Sequence, residues 1–177
     1  MPETILDKDK SAAELLKELA ALTKDKSLWK GRLNSVAGLL AHPSGQVRAK
    51  ALWLLGEMGL LLPREARPFV AQIAGMLEDP QAKIRERAVG ALGRIGRGSS
   101  EAVLPYRDRL LERAKDSAPL VRMNVVWAAE NIAVNSPEAF ADVMALFADL
   151  LEDSAPRVRI EAPEIFRVVA KQRPDMV

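Results

Sequence analysis

Four arginines, Arg48, Arg85, Arg122 and Arg159, stand a constant 37 residues apart. Each follows an apolar residue (Val47, Ile84, Val121, Val158) and precedes a second one three places on (Ala51, Ala88, Val125, Ala162). Six residues before the last three arginines lies an acid, Asp79, Asp116 or Asp153, and the first copy has His42 in that place. A fixed step of this length is the mark of one supersecondary unit stacked on copies of itself, each covering its neighbour's apolar face. Few folds other than a linear array satisfy that constraint.

Composition selects the unit. Apolar residues make up 49% of the 177 and aromatics only 5%, so Ala, Leu and Val must build the core, and strand formers are scarce. Charged residues at 28% suit amphipathic helices. With no cysteine a disulfide framework is excluded, and a reducing compartment fits. The opening residues lack a basic start followed by an apolar run, and the longest apolar stretch, 51–62, carries Glu57 and is too short to span a bilayer. The expectation is a soluble cytoplasmic chain with no membrane partner.

In chain order, residues 1–10 are charged and are expected to fray as a flexible N-terminus. Ser11 with Glu14 forms a capping box, and the helix behind it puts Leu15, Leu16, Leu19 and Leu22 on one face. This opening helix takes the place of a motif-bearing helix, as terminal repeats often do. First helices of four pairs are expected near 28–40, 64–78, 101–115 and 137–152. Ser27 is expected to cap the first of them, and Ser136-Pro137-Glu138 to start the last. Their inward columns read Leu33, Val36, Ala37, Leu40; Val70, Ile73, Ala74, Leu77; Arg107, Leu110, Leu111, Ala114; and Met144, Phe147, Ala148, Leu151. Trp29 shares a column with Ala66, Val103 and Phe140, which places it in the core. Second helices follow near 46–58, 82–95, 119–134 and 157–171, with Gly59 and Gly96 marking ends. Pro163 removes the bond to the carbonyl of Arg159 and should bend the last helix. The count is nine helices in one domain over 11–177, with units near 11–41, 42–78, 79–115, 116–152 and 153–177.

With the turn acid, the Val/Ile-Arg pair, the downstream Leu55-Gly56 and Leu92-Gly93, and Pro68 and Pro105 early in two first helices, the chain resembles a HEAT-repeat protein over nearly its whole length. The departures are His42, Arg107 in a usually apolar column, and Pro163. The resemblance implies an all-α, right-handed α-α superhelix, a solenoid of HEAT-like helix pairs. It also implies a structural ladder in which Asp79, Asp116 and Asp153 pair with Arg48, Arg85, Arg122 and Arg159, each arginine bridging turn acids and carbonyls of its own and the next repeat. Such a network orders the stacking more than it adds net stability.

Catalytic and cofactor signals are weak. His42 is the sole histidine, no second His or Cys completes a metal site, and no nucleophile recurs at a matching height. Gly90, Gly93, Gly96 and Gly98 have the wrong spacing for a phosphate loop and no strand before them; glycines three apart on a helix let a neighbour approach. The pairs Glu161/Glu164 and Asp149/Asp153 share helix faces, and acid–base work would need them buried with their pKa values driven apart. No catalytic residue, metal or cofactor is expected.

The strongest binding signal lies on the second helices, which line the concave surface in HEAT arrays. Their columns read Lys50, Arg87, Asn124, Glu161; Trp53, Gly90, Trp127, Glu164; and Glu57, Arg94, Asn131, Val168. These alternate with the core positions and should face outward from each pair. Tryptophan on such a face is either an interface anchor or a cover for the adjacent repeat. Residues 42–115 carry a net charge of +5 and residues 116–177 a net −4, so a partner lying in the groove would have a preferred direction. These features favour a non-enzymatic protein-interaction scaffold that holds a protein or peptide segment along the groove. Two alternatives rest on resemblance. Some HEAT-like DNA glycosylases place tryptophans, an acid and arginines on concave helices much as Trp53, Glu57, Arg87 and Arg94 stand here, which would make nucleic acid the partner. HEAT-like repeats also occur in bilin lyases, which would make the partner a cofactor-bearing protein.

Overall fold

The computed structural model describes Leu6 and residues 9–177, so most of the segment expected to fray lies outside the described residues. Leu6 itself is buried against the core. Helix α1 (Ala12–Lys24) opens the array with the expected capping box: the Ser11 amide donates to Glu14, and the Glu14 amide donates back to the serine hydroxyl. Leu15, Leu19 and Leu22 are buried beneath it.

Four helix pairs follow, and no strand occurs among the described residues. The fold is a right-handed α-α solenoid. Each first helix is a succession of short α and 3-10 segments. In the first pair these are Lys26–Leu28 (3-10), α2 (Leu33–Gly38) and Leu39–Ala41 (3-10). The second has α4 (Pro63–Ala66), Arg67–Phe69 (3-10), α5 (Val70–Gly75) and Met76–Glu78 (3-10). The third repeats that order with α7 (Ser100–Val103), Leu104–Tyr106 (3-10), α8 (Arg107–Glu112) and Arg113–Lys115 (3-10), and the fourth joins Pro137–Val143 (3-10) to α10 (Met144–Leu150). Pro68 and Pro105 sit where α gives way to 3-10, because a proline supplies no amide to the helix ladder. The second helices are longer and smoother: α3 (Gly45–Leu61), α6 (Ala82–Gly98) and α9 (Pro119–Ala133). In the last pair the second helix is broken into α11 (Pro156–Glu161) and α12 (Pro163–Gln172), divided at Pro163 as its missing amide requires.

The core runs as a strip between the two layers. Leu33, Val36, Ala37 and Leu40, then Val70, Ile73, Ala74 and Leu77, then Leu110, Leu111 and Ala114 are all buried. So is the column of Trp29, Ala66, Val103 and Phe140, with the Trp29 indole donating to the carbonyl of Leu22 at 2.7 Å. Arg107 is accommodated by laying its guanidinium against the Phe140 ring and pairing with Asp142.

The 37-residue motif has a definite geometry. Arg85 places Nε and one terminal nitrogen on the two carboxylate oxygens of Asp116 at 2.6 and 2.8 Å, while its other nitrogen donates to the carbonyls of Asp79 and Pro80. Arg122 repeats this with Asp153 at 2.7 and 2.8 Å and with the carbonyls of Asp116 and Ser117. Arg48 meets Asp79 through a single longer contact of 3.3 Å. Arg159 holds the carbonyls of Asp153 and Ser154 alone. Each aspartate also accepts the amide two residues on, from Gln81, Ala118 or Ala155, and His42 Nδ1 accepts the Ser44 amide in the same way. Guanidinium donation holds the carboxyls of Asp116 and Asp153 below the usual range and raises Arg85 and Arg122 in turn.

Several expectations are corrected by the packing. Gly59 and Gly96 do not end their helices, which run on to Leu61 and Gly98; a side chain at either would collide with Ile95 or Ile132 on the next second helix. Gly56 and Gly93 serve the same approach, for a Cβ would lie 2.9 Å from Ala91 Cα and 2.7 Å from Ala128 Cα. Asp25, not Ser27, caps the 3-10 turn at Lys26, since its carboxylate reaches the Ser27 amide. Ser136 stands at the cap position of its segment, but its hydroxyl bonds that of Ser100 at 2.8 Å, tying two first helices together. In the fourth pair Phe147 and Leu150 are buried while Ala148 and Leu151 are exposed, because among the described residues no further pair covers the flank that buries their counterparts.

Candidate functional site

Helices α3, α6, α9 and α11 lie side by side, and their faces away from the first helices form one groove. A pocket of about 210 Å³ spans all four, lined among others by Trp53, Arg87, Gly90, Arg94, Trp127 and Glu161. Beside it a shallower hollow of about 540 Å³ is lined by Gln46, Lys50, Trp53, Gln81, Lys83 and Arg87. The two share Trp53 and Arg87, so they form one continuous trough. Both Trp53 and Trp127 are half-buried and line the trough, and Trp53 also packs against the core.

Every indole has a cation over it. Lys50 Nζ lies 4.4 Å from the Trp53 ring centre and the Arg94 guanidinium 5.3 Å from that of Trp127. Arg94 Nε also lies 2.6 Å from a carboxylate oxygen of Glu57, so these two opposite charges from adjacent second helices neutralise the middle of the trough. Gly90 keeps the floor low there, since a Cβ at that position would meet only Asn124 at 3.5 Å.

Charge is divided between the ends. At one end Lys50 and Arg87 face each other with no carboxylate partner among the described residues; burial lowers the Lys50 pKa, and the neighbouring Arg87 lowers it further. At the other, burial raises the carboxyls of Glu130 and Glu161; the charge of Glu164 adds to both and that of Glu161 to Glu130, which Arg167 and Arg97 partly offset. Glu164 is paired with Arg167.

Of the groove residues named from sequence, Trp53, Arg87, Arg94, Asn124, Trp127 and Glu161 line the first pocket, Lys50 lines the second, and Glu57 reaches the trough through Arg94. Asn131 does not line the groove: it is buried, and its amide donates to the carbonyl of Trp127, helping to hold that turn. Sequence reasoning missed Glu86, Met123 and Glu130. The first two line the pocket one residue after the motif arginine, a column that held Ala49 and Ile160 in other copies and so showed no common chemistry. The residues that resembled a glycosylase site stand together, Trp53, Arg87 and Arg94 in one pocket and Glu57 joined to it through Arg94. Among the described residues no cluster of three metal-ligating side chains occurs, and no helix is long and apolar enough to cross a membrane.

A protein-family model described as sister chromatid cohesion protein PDS5 matches residues 47–174, which include all four motif arginines and every residue lining the pocket between the indoles. The chain belongs to the PDS5 family. No curated protein matches this PDS5-family sequence. Among solved structures it is similar to a designed armadillo repeat protein in complex with the peptide (KR)4, at 21% identity over 98% of this chain and 84% of that one, with a TM-score of 0.78. An engineered protein matches at 20% identity over 95% and 77%, TM-score 0.77. A computationally designed armadillo repeat protein for modular peptide recognition matches at 20% over 99% and 85%, TM-score 0.73. At these identities the likeness establishes that the PDS5-family chain has an armadillo-like helical repeat fold, in agreement with its HEAT-like motif.

Proposed function

We propose that this protein is a non-enzymatic interaction module that holds an extended segment of a partner protein in the trough between Trp53 and Trp127. The observation that carries this is the pair of half-exposed indoles on one continuous groove, each stacked with a cation and separated by the low floor at Gly90. Tryptophan is enriched among the residues that dominate binding energy, and leaving two of them on a surface is costly without a partner. Two solved proteins of like fold, one in complex with the peptide (KR)4 and one designed for modular peptide recognition, support such use of a helical-repeat groove. The family description names sister chromatid cohesion, and a scaffold for a partner segment is compatible with a place in such an assembly.

Native pull-down from lysate with the wild type and the Trp53→Ala/Trp127→Ala double variant tests the proposal. Partners retained by the wild type should be lost from the double variant while its circular dichroism is unchanged. Identical partner sets would remove the groove from the account. Retention of duplex DNA at low salt, falling steeply as salt rises, would instead favour nucleic acid.

A further inference from the structure

Resting on that reading of the groove, the charges along it point to a particular occupant. We infer that the bound segment is an extended peptide of split charge, with a carboxylate over Lys50 and Arg87, an apolar residue over Gly90, and a cationic side chain at Glu161.

Three observations combine. First, the charges in the middle of the trough are already neutralised, Arg94 by Glu57 and Glu86 by Lys83, so a partner meets a neutral floor flanked by indoles. Second, Lys50 and Arg87 are like charges held close at one end of the trough with no carboxylate partner among the described residues. A carboxylate placed between them relieves their repulsion and gains charge-assisted hydrogen bonds from both. Third, Glu161 lines the opposite end of the trough with no ion pair of its own among the described residues, and the charges of Glu164 and Glu130 lie near it. A lysine or arginine there relieves that repulsion in the same way. A uniformly basic segment would be repelled by Lys50 and Arg87, and a uniformly acidic one by Glu161.

Geometry sets the spacing. Arg87 and Glu161 occupy the same position in units two steps apart, and packed helices lie about 10 Å from one another, giving roughly 20 Å along the array. Extended chain advances about 3.3 Å per residue, so the carboxylate and the cation belong about six residues apart. A helix covering that distance would need about thirteen residues.

The experiment uses three peptides, each acetylated and amidated to remove terminal charge: EESGLSGKK, its interleaved counterpart EKSGLSGEK, and the basic KKSGLSGKK. Binding is read from indole fluorescence, to which Trp53 and Trp127 contribute the ligand-sensitive part because Trp29 is buried. The split peptide is expected to bind at least tenfold more tightly than the other two at low salt, with the gap closing toward 0.5 M salt. The Lys50→Glu/Arg87→Glu variant should reverse the order, so that KKSGLSGKK binds best. Equal affinity for all three peptides, lost together in the Trp53→Ala/Trp127→Ala variant when binding is followed by titration calorimetry, would overturn the charge pattern while leaving the groove reading intact. Absence of binding by EESGLSGKK at millimolar concentration would also overturn it, and the pull-down would then decide the groove reading separately.

Discussion

Individual residues divide into those that set how closely units approach and those that face the trough. Gly93 and Gly90 lie one turn apart on α6 and have opposite duties. A methyl group on Gly93 would press on the Ala128 backbone and side chain at 2.7 and 2.8 Å, so Gly93→Ala should destabilise by about 1–3 kcal/mol through overpacking. Gly90→Ala meets only Asn124 at 3.5 Å and gains helix propensity, so it should be neutral or stabilise by up to about 1 kcal/mol while raising the trough floor. Urea denaturation of the two variants checks the contrast. Asn131 marks a boundary of what residue-level reasoning can do. Its helical position put it in the outward column, but its short amide folds back onto the carbonyl of Trp127 and is covered.

At the scale of elements, the arginine ladder joins each unit to the next. Asp116 is nearly covered, and Arg85 is its side-chain partner, with both carboxylate oxygens engaged. Arg85→Leu therefore strands a buried carboxylate and should cost about 3 kcal/mol or more. Arg159 is exposed and holds only two carbonyls, so Arg159→Leu should cost about 1 kcal/mol or less. Thermal melts of the two variants distinguish them. The pH dependence follows from the direction of the shifts. The Asp116 and Asp153 carboxyls are held below their unfolded values, so their contribution is fully present above about pH 4 and is lost as pH falls through the lowered native values. Glu130 and Glu161 are raised, so protonating them on acidification relieves strain instead. Asp116→Asn/Asp153→Asn should reduce stability at neutral pH and flatten its fall below about pH 4, as measured by denaturant titration across that range. Prolines at this scale were legible because a missing amide acts locally: Pro163 divides α11 from α12 wherever the units pack. Caps were less legible, because a serine hydroxyl takes the nearest good partner, and Ser136 found Ser100 in another unit.

For the whole molecule, stability should be graded along the array, since each unit touches only its neighbours. Second helices α6 and α9 are packed on both sides, whereas α11 and α12 have a neighbour on one side and leave Ile160 75% exposed. Hydrogen exchange is expected to be slowest in α6 and α9 and fastest in α11 and α12. Uniform protection along the chain would contradict the graded picture. The sequence by itself determined the period, the alternation of first and second helices, and the apolar columns, because each follows from spacing within one or two units and is repeated until chance is excluded. Only the tertiary structure decided which glycines are contact points and not helix ends, why the last pair exposes Ala148 and Leu151, and which charges in the trough are spent on each other. Those outcomes depend on side chains from units 31 to 39 residues apart meeting at distances of a few ångströms, as Arg94 meets Glu57 and Asn135 meets the carbonyl of Arg97, and a linear pattern carries no record of which partner arrives first.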